Sequence, residues 1–134
     1  MAEYSLANFI SLKTVTETVG RNSISVVTIG TGKRQIKDCS VAWIMGRQHP
    51  GETTSSFMIE GIINYLVSIY ANPTPELAEI LDTLIFKIVP MVNVDGVVHG
   101  NTRAELTGID PNRLWKRTMK RLSPGVSAIK KLIA

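Results

Sequence analysis

Apolar positions recur along this chain with a spacing that changes from segment to segment, and those changes predict the order of its elements. Leu6, Phe9, Ile10, Leu12 and Val15 lie at helical spacing, which predicts a first helix over residues 5–18. The next run, SISVVTIG (23–30), alternates and ends in glycine, as a strand does. After the turn-rich GTGKRQIKDCS comes VAWIMG (41–46), a short unbroken apolar stretch that predicts a strand buried on both faces. TTSSFMIEGIINYLVSIYANP (53–73) places Phe57, Met58, Ile62, Tyr65, Leu66 and Ile69 on a 3.6-residue period. It opens on hydroxyl residues able to cap a helix and stops before Asn72-Pro73. Pro75 can open a short helix over PELAEILDT, LIFKIVP (84–90) predicts another buried strand, and SPGVSAIKKLIA (123–134) predicts a final helix. Strand, helix, strand order of this kind argues an α/β fold around a largely parallel or mixed sheet.

Length and composition narrow the class. The 134 residues suit one domain with one modest core, and 44% hydrophobic with 19% charged residues is a globular composition. No apolar run approaches the ~18 residues of a membrane span, and the start, MAEYSLANFISLKT, lacks the basic and apolar regions of a secretory signal. A cytoplasmic protein with no membrane association is the expectation, and the single Cys39 agrees with a reducing compartment. Cys39, ahead of a predicted buried strand, reads as a small core or near-core residue. The net charge of +4 is uneven: seven Lys or Arg and no acid follow Asp110, which leaves residues 1–110 at −3. That basic end reads as a solvated helix face, because zinc-finger spacing and interleaved aromatics are missing and no nucleic-acid partner is implied.

Candidate chemistry gathers at two strand ends. In HPGE (49–52), Pro50 biases His49 away from the helical region and Gly51 is a poor helix former, so the four residues predict a turn between a strand and a helix. Open α/β sheets bind ligands at that edge. His49 and Glu52 are then either two metal ligands brought together by the turn, or a loop histidine and an acid favoured by a helix N-terminus. The second stretch, VPMVNVDGVVHGNTRAELTGIDPNR (89–113), is a long polar loop with Asn93, Asp95, Arg103, Asp110, Asn112 and Arg113. Its arginines could clamp a carboxylate through paired charge-assisted bonds, or Arg113 could pair with Asp95 or Asp110 and only hold the loop.

GRQHPGET, FKIVPMVNVDGVVHGNTR and GIDPNRLW, in this order and spacing, resemble the zinc carboxypeptidases, and in particular their cytosolic carboxypeptidase branch. The likeness runs from about Asn22 to Trp115; digestive-type members usually carry arginine where Gly51 stands, so HPGE points to the cytosolic branch. The resemblance implies a three-layer α/β/α, mixed-sheet fold, incomplete here, with residues 1–134 forming the N-terminal portion of a single catalytic domain. It implies one catalytic Zn2+ held by His49 and Glu52, Arg103 at the scissile carbonyl and its developing oxyanion, and Asn112 with Arg113 on the substrate's terminal carboxylate. Family members also need a second zinc histidine and a general-base glutamate on later strands. His99 is the sole spare histidine and does not match the ligand position, and Glu60, Glu76, Glu79 and Glu105 do not match the base.

The expectation is therefore a metallocarboxypeptidase that removes acidic, glutamate-type C-terminal residues from peptides or protein tails, tubulin-like tails among them, with this chain inactive alone. Two other classes fit parts of the pattern. An aspartoacylase-like or succinylglutamate desuccinylase-like zinc acylase shares a His-x-x-Glu turn and an Asn-Arg pair, although NVDGVVHGNTR favours the peptidase. A non-catalytic relative would keep the carboxylate clamp and bind acidic tails. Trp115, directly after the clamp, packs either beneath it or in the core.

Overall fold

A computed structural model describes residues 3–134. Five strands, β1 (Glu3–Ala7), β2 (Ile10–Glu17), β3 (Ser23–Ile29), β4 (Ser40–Met45) and β5 (Leu84–Val89), form one sheet in the order β1-β2-β3-β5-β4. Pairing is antiparallel from β1 through β5 and parallel between β5 and β4, so the sheet is mixed, as expected. Helix α1 (Thr54–Ala71) carries the chain out of β4, α2 (Pro75–Leu81) leads into β5, and α3 (Val94–Val98) and α4 (Pro124–Ile133) follow it.

Alternation along the strands splits the core into two layers. Ile24 and Val26 of β3 and Val89 of β5 pack with Val92, Val126 and Ile129 on the α4 side. Ile29 of β3 and Ile88 of β5 pack with Ile59, Leu66, Tyr70 and Leu81 on the face covered by α1 and α2. Tyr70 fixes the bottom of that layer by donating its hydroxyl to the Leu84 carbonyl at 3.0 Å while stacking on Phe9. This is the three-layer arrangement the resemblance implied.

Four expectations are corrected. Residues 5–18 are strand and not helix: β1 and β2 form a hairpin, and β2 pairs along its length with β3. The β-branched Thr14, Val15 and Thr16 suit a pleated surface better than a helix, and the helical spacing of Leu6, Phe9 and Ile10 was accidental. VAWIMG is the outermost strand, with Val41 and Met45 exposed, because among the described residues nothing pairs with its far side. On α1 the buried stripe is Ile59, Leu66 and Tyr70 with Ile62, Ile63 and Ile69 beside it, while Phe57, Met58 and Tyr65 face outward. The expected hydroxyl cap is also absent: Thr53 makes no capping bond, and Ser55 instead accepts the Arg47 N–H at 3.0 Å. Cys39 is half-buried, its thiol 3.8 Å from the Asp82 carbonyl.

Candidate metal and substrate site

Parallel pairing of β4 and β5 delivers both candidate loops to the same edge of the sheet. The pairing continues one step past the strands, with the Gly46 N–H donating to the Val89 carbonyl and the Val92 N–H to the Gly46 carbonyl, each at 3.0 Å. Gly46 sits in a tight place here, since a Cβ would meet the Pro90 carbonyl oxygen at 3.0 Å and Ile59 Cδ1 at 2.6 Å. Arg47 then takes the left-handed region, φ 48°, a conformation that costs a non-glycine residue about 1 kcal/mol or more. Its guanidinium offsets that cost by donating to the Pro50 carbonyl at 2.9 Å and to Ser56 Oγ at 3.0 Å, so it wraps the turn that follows.

That turn brings His49 and Glu52 together. His49 is buried and places Nδ1 2.8 Å from Glu52 Oε1, while Nε2 lies 3.0 Å from Asp110 Oδ1. Each ring nitrogen therefore faces a carboxylate. With Nε2–H donating to Asp110, the Nδ1 lone pair points at the Glu52 oxygen, and a metal ion bound between those two acceptors would satisfy both. Imidazole nitrogen with carboxylate oxygen is a donor set that suits zinc. The pair alone would fall one short of the usual three protein ligands, and among the described residues no group of three or more His, Cys, Asp or Glu is placed to hold a metal. His99 lies apart, exposed at the C-terminal end of α3.

Asp110 joins the two loops. Its carboxylate accepts from His49, from Arg103 Nε at 2.8 Å and from the Asn112 N–H at 2.8 Å. Burial raises its pKa, but the Asn112 N–H, the His49 ring and the Arg103 guanidinium outweigh burial and hold it below the ordinary carboxylate value. Asp110 also opens a short 3-10 turn, Pro111–Arg113, that presents Asn112 and Arg113 to solvent. Arg113 reaches only the neighbouring Asn112 carbonyl, at 3.3 Å, so the loop-holding partnership considered for it belongs to Arg103 instead. Of the two positions considered for Trp115 the core is the one seen: it packs on the α4-side core and donates its indole N–H to Gln48 Oε1, in the other loop, at 2.9 Å.

The two loops also touch through backbone. The Gly51 N–H donates to the Thr102 carbonyl at 2.8 Å, and a Cβ on Gly51 would lie 2.9 Å from that oxygen. The glycine of HPGE thus lets the turn settle against the residue before Arg103.

The chain matches a family model, Peptidase_M14, described as zinc carboxypeptidase, over residues 2–129. It belongs to the zinc carboxypeptidase family. Cytosolic carboxypeptidase 6 of Homo sapiens is 39% identical over 119 residues, which is 87% of this chain and 23% of that protein. Cytosolic carboxypeptidase 2 of Xenopus tropicalis is 32% identical over 99% of this chain and 14% of its own length. Among solved structures, a metallo-carboxypeptidase from Burkholderia cenocepacia superposes with a TM-score of 0.82 at 33% identity, covering 92% of this chain and 33% of that one. The Pseudomonas aeruginosa metallo-carboxypeptidase in complex with (2-guanidinoethylmercapto)succinic acid gives 0.74 at 28% identity, over 91% and 32%. This zinc carboxypeptidase chain spans about a third of those solved relatives and less than a quarter of the curated ones.

Proposed function

We propose that residues 1–134 are the N-terminal portion of a metallocarboxypeptidase catalytic domain that trims acidic residues from the C-termini of cytoplasmic peptides or protein tails. The observation that carries this reading is the convergence of His49 Nδ1 and Glu52 Oε1 at 2.8 Å, with Asp110 tying the same histidine to Arg103. His49 and Glu52 would hold zinc, which when bound supplies a Lewis acid for the scissile carbonyl and an activated water. Asp110 keeps the Nε2–H tautomer of His49 and so leaves Nδ1 as the ligand atom. Arg103, about half exposed, is free to turn its remaining N–H groups toward an oxyanion while Nε stays on Asp110. Asn112 and Arg113, exposed on one tight turn, offer an amide and a guanidinium fork to a terminal carboxylate. The branch named for the relatives supports a cytoplasmic setting, and the basic end after Asp110, though read as a solvated face, is compatible with acidic tails. No helix among the described residues is long and apolar enough to cross a membrane.

With two ligands and no general base in place, this chain should bind zinc weakly and turn nothing over. The test is zinc titration by calorimetry alongside incubation with peptides ending in Glu or Leu, for the chain and for His49→Ala and Arg113→Ala. Expected are zinc binding lost with His49, binding of both peptides weakened with Arg113 because each carries the terminal carboxylate, and intact peptide throughout. Zinc binding indifferent to His49→Ala would remove the ligand assignment, and chelator-sensitive hydrolysis by the 134-residue chain would overturn the half-site reading.

A further inference from the structure

Asp95 makes no contact with His49 or Glu52 in the hydrogen-bond pattern, yet it is buried and takes three donors from a different part of the chain. Thr18 Oγ1 donates to its Oδ1, Asn22 Nδ2 donates to the same oxygen at 2.8 Å, and the Gly20 N–H donates to Oδ2 at 2.8 Å. All three donors sit in the turn between β2 and β3, which lies more than seventy residues earlier in sequence. The fit is close: a Cβ on Gly20 would meet Asp95 Oδ1 at 2.7 Å. Burial raises the pKa of Asp95, but the Asn22, Thr18 and Gly20 donors, with some help from His99, bring it below the ordinary value, so it is an anion at neutral pH.

The next residue carries that anchoring to the site. Gly96 lies against Pro50, the residue between His49 and Gly51; a Cβ there would fall 2.3 Å from Pro50 Cγ. Its N–H is held by Asn93 Oδ1 at 2.9 Å and its carbonyl accepts the Asn101 N–H at 2.8 Å, so α3 also fixes the start of the strand of residues that presses Thr102 on Gly51. Chain geometry thus runs from the β2–β3 turn, through Asp95, to the surface on which the HPGE turn rests.

We propose that Asp95 is a positioning residue for the His49–Glu52 pair: by locking the β2–β3 turn to α3 it sets the height of Gly96 under Pro50, and with it the separation of Nδ1 and Oε1. Asp95 touches neither metal nor substrate and acts only through Gly96 and Pro50. This inference rests on the proposal that His49 and Glu52 hold zinc, and the variants separate the two.

Zinc affinity of the chain is measured by calorimetry, with Co2+ absorption as a geometric readout, for wild type, His49→Ala, Asp95→Asn, Gly20→Ala and Ile88→Val. Asp95→Asn and Gly20→Ala disturb the same contact from opposite sides. Ile88→Val, in the opposite core layer, lowers stability without touching α3 and so controls for destabilisation alone. Expected is zinc binding weakened by up to about tenfold in both Asp95→Asn and Gly20→Ala, the lower end of what loss of a partner bonded directly to a metal ligand costs because Asp95 acts one contact further out, and wild-type affinity in Ile88→Val. Wild-type affinity in the folded Asp95→Asn and Gly20→Ala chains, with binding lost in His49→Ala, would overturn the positioning role and leave the metal reading standing. If His49→Ala binds as wild type does, the metal reading itself fails and Asp95 positions no ligand pair. Equal weakening in Ile88→Val would reduce Asp95 to general stability and also overturn the inference.

Discussion

Asp110→Asn tests whether one carboxylate sets the chemistry of His49 without first dismantling the fold. Asp110 does three things: it opens the 3-10 turn through the Asn112 N–H, pairs with Arg103 at 2.8 Å, and accepts from His49 Nε2 at 3.0 Å. Asparagine opens such turns about as well as aspartate, so that function survives. The ion pair is lost, but Arg103 is about half exposed, and exposed pairs contribute only ~0.2–1 kcal/mol. Folding stability should therefore fall by no more than about 1 kcal/mol. The effect on His49 is larger in kind, because an amide can turn its NH2 toward Nε2 and stabilise the opposite tautomer, with the proton on Nδ1 and the lone pair turned away from Glu52. Losing an outer partner of a ligating histidine weakens metal binding ~10–100-fold, or about 1.4–2.7 kcal/mol. The assay is the 15N shift pair of the His49 ring in the metal-free chain, followed by zinc titration of the same sample. Wild type should show the proton on Nε2, and Asp110→Asn a mixed or reversed pattern with weaker binding. An unchanged tautomer and unchanged zinc affinity in a folded Asp110→Asn chain would refute the argument that Asp110 selects the ligand nitrogen.

Two further outcomes follow from the burial pattern. Burial raises the pKa of Glu105 above its ordinary 4.5; the Ser123 hydroxyl, 2.6 Å away, lowers it in part and the Asp95 charge adds to the rise. A raised folded-state pKa means that the group's favourable contribution is complete below pH 4.5 and is lost as pH rises through the folded value. Glu105→Gln should therefore melt higher than wild type at neutral pH, with the advantage fading below pH 4.5 in a pH series of thermal melts; a variant less stable by the same amount at every pH would contradict this. On α1, Phe57 and Tyr65 are 73% and 65% exposed, and among the described residues β4 is paired on one side only, so the chain should self-associate in sedimentation runs. Phe57→Lys with Tyr65→Lys should reduce that association while moving stability by no more than about 0.5 kcal/mol for each change, and association unchanged in the double variant would point away from this face.

Legibility of the fold followed the strength of each local signal. β3, β5 and α4 were readable because alternation, unbroken β-branched runs and a proline-opened helix each point to one structure. Residues 10–17 were not, because Ile10, Leu12 and Val15 satisfy a helical template by accident and only the ladder with β3 decides the matter. On α1 the helix was legible and its buried face was not: the stripe through Ile59, Leu66 and Tyr70 competes with an equally apolar one through Phe57, Met58 and Tyr65, and hydrophobicity alone cannot choose which faces the sheet. VAWIMG has the composition of a central strand and lies at an edge, since composition reports what a surface could pair with and not what is present.

At the site, residues joined by short sequence distance were easier to find than those joined by topology. His49 and Glu52 meet within one turn, so their spacing was enough to raise the pair. Asp110 lies sixty-one positions from His49, and what brings it there is the parallel register that puts the ends of β4 and β5 side by side. A lone aspartate ahead of Pro-Asn-Arg carries no signal of that kind, although its place before a proline could have marked it as a turn-opening residue with one oxygen to spare. Arg47 was missed, and Asp95 was raised only as a partner for Arg113, for the same reason: each works through backbone geometry, one by fixing α3 against the β2–β3 turn and the other by bending the chain just before His49. Both operate on Pro50 or its neighbours, and so the placement of the His49–Glu52 pair depends on residues with no metal chemistry of their own. It follows that substitutions at Asp95 or Arg47 should change the geometry of the pair while leaving its composition intact, which is the kind of defect a motif search would pass over.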